Sequence, residues 1–76
     1  IMGYSAKTER YNYIEWIKMN SGDIVGKEFF DRKKDPYETI NLVEDGQYTE
    51  TIAFLAEKLS VRINNTDHNH AFKKID

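Results

Sequence analysis

The sequence predicts an α+β fold: a small antiparallel sheet of three to four strands packed against one C-terminal amphipathic helix. Three observations lead there. The first half gathers aromatic and β-branched residues into short runs, broken by a turn signal at Asn20-Ser21-Gly22-Asp23. From Tyr48 onward, apolar residues recur at 48, 52, 55, 59 and 63, the spacing of one buried helical stripe. The length of 76 residues, with 39% hydrophobic content and no cysteine, admits one core and little more. A core of that size is marginal, so the chain is expected to fold weakly alone or to lean on a partner surface.

Taken in order, residues 2–8 (Met-Gly-Tyr-Ser-Ala-Lys-Thr) read as a short leading strand. In residues 10–19, alternation places Tyr11, Tyr13, Glu15, Ile17 and Met19 on one face and Asn12, Ile14, Trp16 and Lys18 on the other. Neither face is cleanly polar, which predicts a sheet covered on both sides over part of its length. The turn at 20–23 offers Gly22 for a positive-φ position, and Ile24 to Asp31 returns as the second strand of a hairpin. Asp35 before Pro36, with Glu38 three residues on, has capping-box spacing and predicts a short helical turn over 36–40. Glu44-Asp45-Gly46 reads as a loop, and 48–63 as a helix of about four turns. Asn64 to His70 is polar and rich in helix-breaking residues, so 65–76 is expected to be a flexible polar tail.

Charge is balanced, eleven Lys+Arg against thirteen Asp+Glu, and the longest basic run, Arg32-Lys33-Lys34, is bracketed by Asp31 and Asp35. This argues against a nucleic-acid partner, which would call for a basic excess on one face. No apolar stretch approaches the ~20 residues that span a membrane. The opening Ile-Met-Gly-Tyr-Ser has neither the basic nor the apolar region of a signal peptide. It starts inside what reads as a strand, the first indication of a fragment.

Few residue sets point to chemistry. Asp67-His68-Asn69-His70 pairs imidazole with carboxylate, but a polar tail does not fix the four ligands of a closed metal site, so no metal site is assigned. Asn64-Asn65-Thr66 matches a glycosylation acceptor, a triplet common by chance. Ser5, Ser21 and Ser60 have no histidine in a structured segment to activate them, and the glycines at 3, 22, 26 and 46 are isolated rather than gathered in a phosphate loop. Glu44-Asp45 reads as a solvated turn. The aromatics Tyr4, Tyr11, Tyr13, Trp16, Phe29 and Phe30 could form a carbohydrate or nucleobase platform, but core and cross-strand packing is preferred. No catalytic residue is assigned.

Two blocks carry a resemblance. Met2-Gly3-Tyr4-Ser5-Ala6-Lys7-Thr8-Glu9-Arg10-Tyr11-Asn12-Tyr13, followed by Trp16, resembles the start of the C-terminal subdomain of sulfatases of the iduronate-2-sulfatase-like group, within the alkaline-phosphatase superfamily. There the run is Gly-Tyr-Ser-x-Arg-Thr-x-Arg-Tyr-Arg-Tyr. Glu28-Phe29-Phe30-Asp31 and then Asp35-Pro36-Tyr37-Glu38-Thr39-Ile40-Asn41-Leu42 is similar to that family's Glu-Leu-Tyr-Asp and Asp-Pro-x-Glu-x-x-Asn-Leu. The likeness runs from residue 2 to about 63, with Tyr48 and the following helix in matching places. Lys7 and Asn12 depart from it, each standing where arginine is usual, and Phe29-Phe30 replaces Leu-Tyr. Lys7 keeps a positive charge but lacks the planar fork for anions.

The resemblance implies that residues 1–64 are the C-terminal subdomain of a larger sulfatase acting on a sulfate ester, expected on a sulfated carbohydrate. The chemistry would reside in an N-terminal catalytic domain holding formylglycine and calcium or magnesium. The family's Cys/Ser-x-Pro-x-Arg signature has no counterpart here: there is no cysteine, and Lys34 stands two residues before the sole proline, Pro36. The chain alone is therefore expected to be inactive. Tyr4 and Lys7 are the candidates for contacts at the substrate-pocket rim, with the catalytic domain as partner and self-association expected of an isolated fragment. A periplasmic or extracellular address follows from the resemblance alone. The competing expectation is a free-standing, non-catalytic binding or interaction module on the same sheet and helix.

Overall fold

The computed structural model describes residues 1–70, with side chains through Ile63. Strands β1 (Met2–Lys7), β2 (Tyr11–Ile17) and β3 (Ile24–Asp31) form one antiparallel sheet in the order β1-β2-β3. A short 3-10 turn, Gly46–Tyr48, leads into helix α1, Thr49–His70. The fold class is the expected one, with three strands. The β2–β3 hairpin closes as its turn signal indicates: the Lys18 N–H bonds the Asp23 carbonyl at 2.8 Å, and Gly22 takes φ 76. A register shift after Trp16 leaves Val25 as the extra residue of a bulge.

The alternation along β2 sorts its residues onto the two faces as expected. Ala6, Tyr13 and Phe29 meet Tyr48, Leu55 and Leu59 in the core, with Ile52 and Ile63 packed against it, so the helical stripe read from the sequence is the one α1 buries. The opposite face is covered at one end only. There Asn12 and its register partner Phe30 are buried beneath the segment that follows β3. Farther along, the Trp16 ring lies between Gly3 and Gly26, and a Cβ on Gly3 would stand 2.6 Å from a ring carbon. Glycine at 3 is thus what lets the indole lie flat across β1, while its N–H reaches Glu28 at 3.1 Å.

Two segments differ from expectation. Residues 36–40 form no helical turn. Asp35 to Glu38 is a β-turn, and Glu38 sits at φ 56, outside the helical region. The Asp35 carboxylate accepts the Thr39 and Ile40 amides, each at 2.8 Å, which a continuing helix would give to backbone carbonyls. The Asp35 N–H, which a capping box would offer to Glu38, goes instead to the Asp31 carbonyl. At the other end, the α1 backbone continues through Asn64 to His70, past the expected end at 63, as adding a residue to a formed helix costs little. The rest of the expected tail, 71–76, lies outside the described residues.

A buried pair on the core face sets a pH dependence. The Tyr13 hydroxyl donates to Glu15 at 2.9 Å. Burial, then this carboxylate, holds the phenol well above its usual ionisation range. A folded value raised above the unfolded one contributes stability that is complete below about pH 10 and lost above it. Thermal melts between pH 9 and 12 should show Tyr13→Phe losing less stability than the wild type; parallel curves would refute this role for Tyr13.

Candidate functional site

Tyr4 and Lys7 are not brought to one place. They stand on opposite faces of β1: Tyr4 pairs with Glu15 and packs half-buried against the core, whereas Lys7 pairs with Asn12 and is exposed. The polar residues that do converge belong to the two blocks around β2 and β3, and they form three linked sets.

The first set centres on Asp31, whose side chain is fully buried on the core face. Arg10, leaving the β1–β2 turn, donates Nε to Oδ1 and Nη2 to Oδ2, each at 2.9 Å. The Tyr48 hydroxyl, arriving at the foot of α1, donates to Oδ2 at 2.9 Å, and the Lys33 N–H reaches Oδ1 at 3.2 Å. Arg10 also lies over the Tyr11 ring, 5.0 Å from its centroid. The hydrogen bonds from Arg10 hold the Asp31 carboxyl well below the usual carboxylate range against the opposing effect of burial. Its partner Arg10 is pushed in the opposite direction, above the usual guanidinium value. Such a carboxylate is ionised, but both its oxygens are engaged. Chemically it is a fastener joining turn, strand and helix, and a poor general base.

The second set seals the opposite face. The Asn12 amide donates to both Glu38 oxygens, at 3.1 and 3.0 Å, and Arg32 Nε lies 3.5 Å from Glu38. Asp35 organises the turn before it, and its carboxyl is lowered mainly by the Ile40 amide. The third set closes the outer edge of β3. The Asn41 side chain accepts the Phe29 N–H at 3.0 Å and donates to the Lys27 carbonyl at 3.2 Å, while the Leu42 N–H bonds the Phe29 carbonyl at 2.7 Å. Asn41 thus imitates a neighbouring strand over three residues and blunts an edge open to pairing. Asn41→Ala is expected to cost about 1–2 kcal/mol by stripping the partner from a buried amide. Hydrogen exchange at the Phe29 amide should accelerate in that variant; unchanged protection would sink the assignment.

Among the described residues, no group of three or more His, Asp or Glu is arranged to hold a metal ion, and no helix is long and apolar enough to cross a membrane. The His68 and His70 side chains lie outside the described ones. A concavity opens beside the first set. It holds about 310 Å³ and is lined by Glu9, Arg10, Arg32, Lys33 and Pro36. Sequence reasoning did not find it, because its walls come from two loops about twenty residues apart, brought together when the Arg32 N–H bonds the Arg10 carbonyl at 2.7 Å. Compared with protein-family models, curated proteins and solved structures, the chain has no significant match.

Proposed function

We propose that this chain is the C-terminal subdomain of a sulfatase, in which it serves as a scaffold for a separate catalytic domain. One observation carries the proposal. Several residues by which the sequence resembles that family hold the fold together: Arg10 and Tyr48 both bond Asp31, Asp35 accepts the amides of the turn it opens, and Asn41 closes the β3 edge. At the departing position Asn12, the amide donates to both Glu38 oxygens.

Exposed apolar side chains give further support. Ile1, Met2, Trp16, Met19, Ile24 and Val25 are exposed toward the hairpin end of the sheet, on both of its faces, where a neighbouring domain would cover them. The nucleophile signature that would become formylglycine is absent, as the chain lacks both the cysteine and the Ser-x-Pro pattern. In this proposal formylglycine and its calcium or magnesium ion belong to the catalytic domain. Lys7, exposed on β1, remains the residue free to reach an anionic substrate at the rim. Tyr4 would act there only by packing.

The decisive test is the reading frame upstream of Ile1. Several hundred residues bearing Cys/Ser-x-Pro-x-Arg are expected, together with aryl-sulfate hydrolysis by the whole protein. A start codon at Met2 would overturn the proposal in favour of a free-standing module.

A further inference from the structure

We propose that the outer edge of β1 pairs with β1 of a second copy of this chain. The two strands run antiparallel about a two-fold axis at Ser5, so that two three-stranded sheets continue as one. This goes beyond the sulfatase assignment and does not require it.

The register decides which backbone groups face outward. The Thr8 N–H bonds the Tyr11 carbonyl at 2.8 Å, so at this pair the β1 groups point toward β2. Alternation along the β1–β2 register then turns the N–H and C=O of Lys7, Ser5 and Gly3 away from β2. In agreement, the Arg62 guanidinium reaches the Ser5 carbonyl from α1. Among the described residues, the other outward groups of these three have no partner. The β3 edge differs. Its outward carbonyls at Lys27, Phe29 and Asp31 are taken by the Asn41 side chain, the Leu42 amide and the Lys34 and Asp35 amides. An edge left open is a template for another strand.

The β1 sequence is complementary to itself in one register. With Ser5 opposite Ser5 of the second copy, Gly3 faces Lys7 and Tyr4 faces Ala6, so each large side chain meets a small one. Gly3, Ser5 and Lys7 share the face on which the Trp16 ring stands over Gly3. Lys7 of the second copy therefore lays its stem beside that indole and brings its ammonium within reach of the ring. The indole N–H bonds the Glu28 carboxylate, which adds negative charge on the same side. The two-fold axis makes this contact twice.

Charge selects the direction of pairing. In the antiparallel register the two Lys7 positions stand about 14 Å apart along the sheet, beyond the Debye length of about 8 Å in physiological salt. Parallel pairing in register would set them about 5 Å apart, with like charges side by side. Arg62 works against association, because it engages the Ser5 carbonyl that the Ser5 N–H of the second copy must reach. Pairing in the wild type is therefore weak and limited by Arg62. It also draws Lys7 away from a pocket rim, and leaves the sulfatase assignment itself untouched.

The test is NMR of the ¹⁵N-labelled chain over about two decades of concentration, up to about 1 mM, with sedimentation velocity alongside. A monomer–dimer equilibrium is expected, with concentration-dependent shifts centred on the amides of Gly3, Ser5 and Lys7. Arg62→Ala should tighten the dimer by about threefold or more, since it frees the Ser5 carbonyl. Lys7→Glu should weaken it by about fivefold or more, because a carboxylate replaces the cation at both indoles. Lys34→Glu makes the same charge change beyond the β3 edge and should alter the dimer by less than about twofold. A synthetic peptide of residues 2–8 should shift the same amides, and the same peptide N-methylated at Ser5 should not. A wild-type chain that stays monomeric, shifts confined to the hairpin end, or equal effects of the two lysine variants would overturn the proposal. Peptide binding without dimerisation would overturn it too, by showing an edge that takes a strand but not a second copy. None of these readouts measures sulfate-ester hydrolysis, so this pairing and the sulfatase assignment stand or fall separately.

Discussion

Replacing Asp31 with alanine is expected to cost about 3 kcal/mol, read from urea unfolding followed by the fluorescence of the single tryptophan, Trp16. The carboxylate is fully buried and accepts two charge-assisted bonds from Arg10, one from the Tyr48 hydroxyl and one from the Lys33 amide. Its removal strands a buried hydroxyl and leaves a guanidinium without its counter-charge. Arg10 is 39% exposed, so water answers part of its demand, which keeps the loss at the low end of the range for broken buried pairs. Asp31→Asn keeps the shape but turns one acceptor into a donor facing other donors, and should cost about 2 kcal/mol. Tyr48→Phe removes one bond and should cost about 1 kcal/mol. Acid adds a signature. The folded-state value of Asp31 lies below the unfolded one, so its contribution is present above about pH 4 and lost as pH falls through the folded value. The wild type should lose stability on acidification below that point, and Asp31→Asn should lose less. A loss under about 1 kcal/mol for Asp31→Ala would show that the set is solvated and does not fasten the fold.

What the sequence made legible, and what it hid, follows from the range of the interactions involved. The strands, the Gly22 turn and the stripe through Tyr48, Leu55 and Leu59 are written in periods of 2 and 3.6 residues, which a local reading detects. The helical turn expected at 36–40 failed for a non-local reason. Asp35-Pro36-Tyr37-Glu38 has capping-box spacing, but Glu38 is held by Asn12, twenty-six residues earlier, and nothing near Glu38 signals that bond. The Arg10–Asp31–Tyr48 set is of the same kind. Each member stood in a recognisable block, but only the register Tyr11 to Asp31 and the docking of α1 bring them into contact. The pocket depends on that convergence too, and no local pattern along the chain marks it. Tyr4 and Lys7 stand three residues apart in one block, and the alternation of β1 puts them on opposite faces.

The second large effect is expected from Phe29→Ala, about 3–5 kcal/mol. Phe29 is fully buried; its ring stacks on Tyr11 at 5.4 Å and tilts against Tyr48 at 5.2 Å. Its backbone is occupied as well, the N–H by Asn41 and the carbonyl by Leu42. One side chain therefore anchors the sheet, the foot of the helix and the segment that closes the β3 edge. Total stability for a chain of this length is roughly 4–11 kcal/mol, so the variant should be largely or wholly unfolded near physiological temperature. Helix α1 should melt with it, since a helix of this length draws its stability mainly from packing its apolar face, and circular dichroism at 222 nm reports the loss. Phe29→Leu should remain folded at a cost of about 1–1.5 kcal/mol. Phe54→Ala, which truncates a ring that is 59% exposed, should stay within about 0.5 kcal/mol of wild type. The two large effects also share a partner. Tyr48 gives its ring to Phe29 and its hydroxyl to Asp31, so the double variant should lose less than the sum of its parts. Since alanine at both positions would leave no measurable folded state, the cycle is best run with Phe29→Leu and Asp31→Asn. Strict additivity there would mean that Tyr48 does not couple the apolar core to the buried carboxylate.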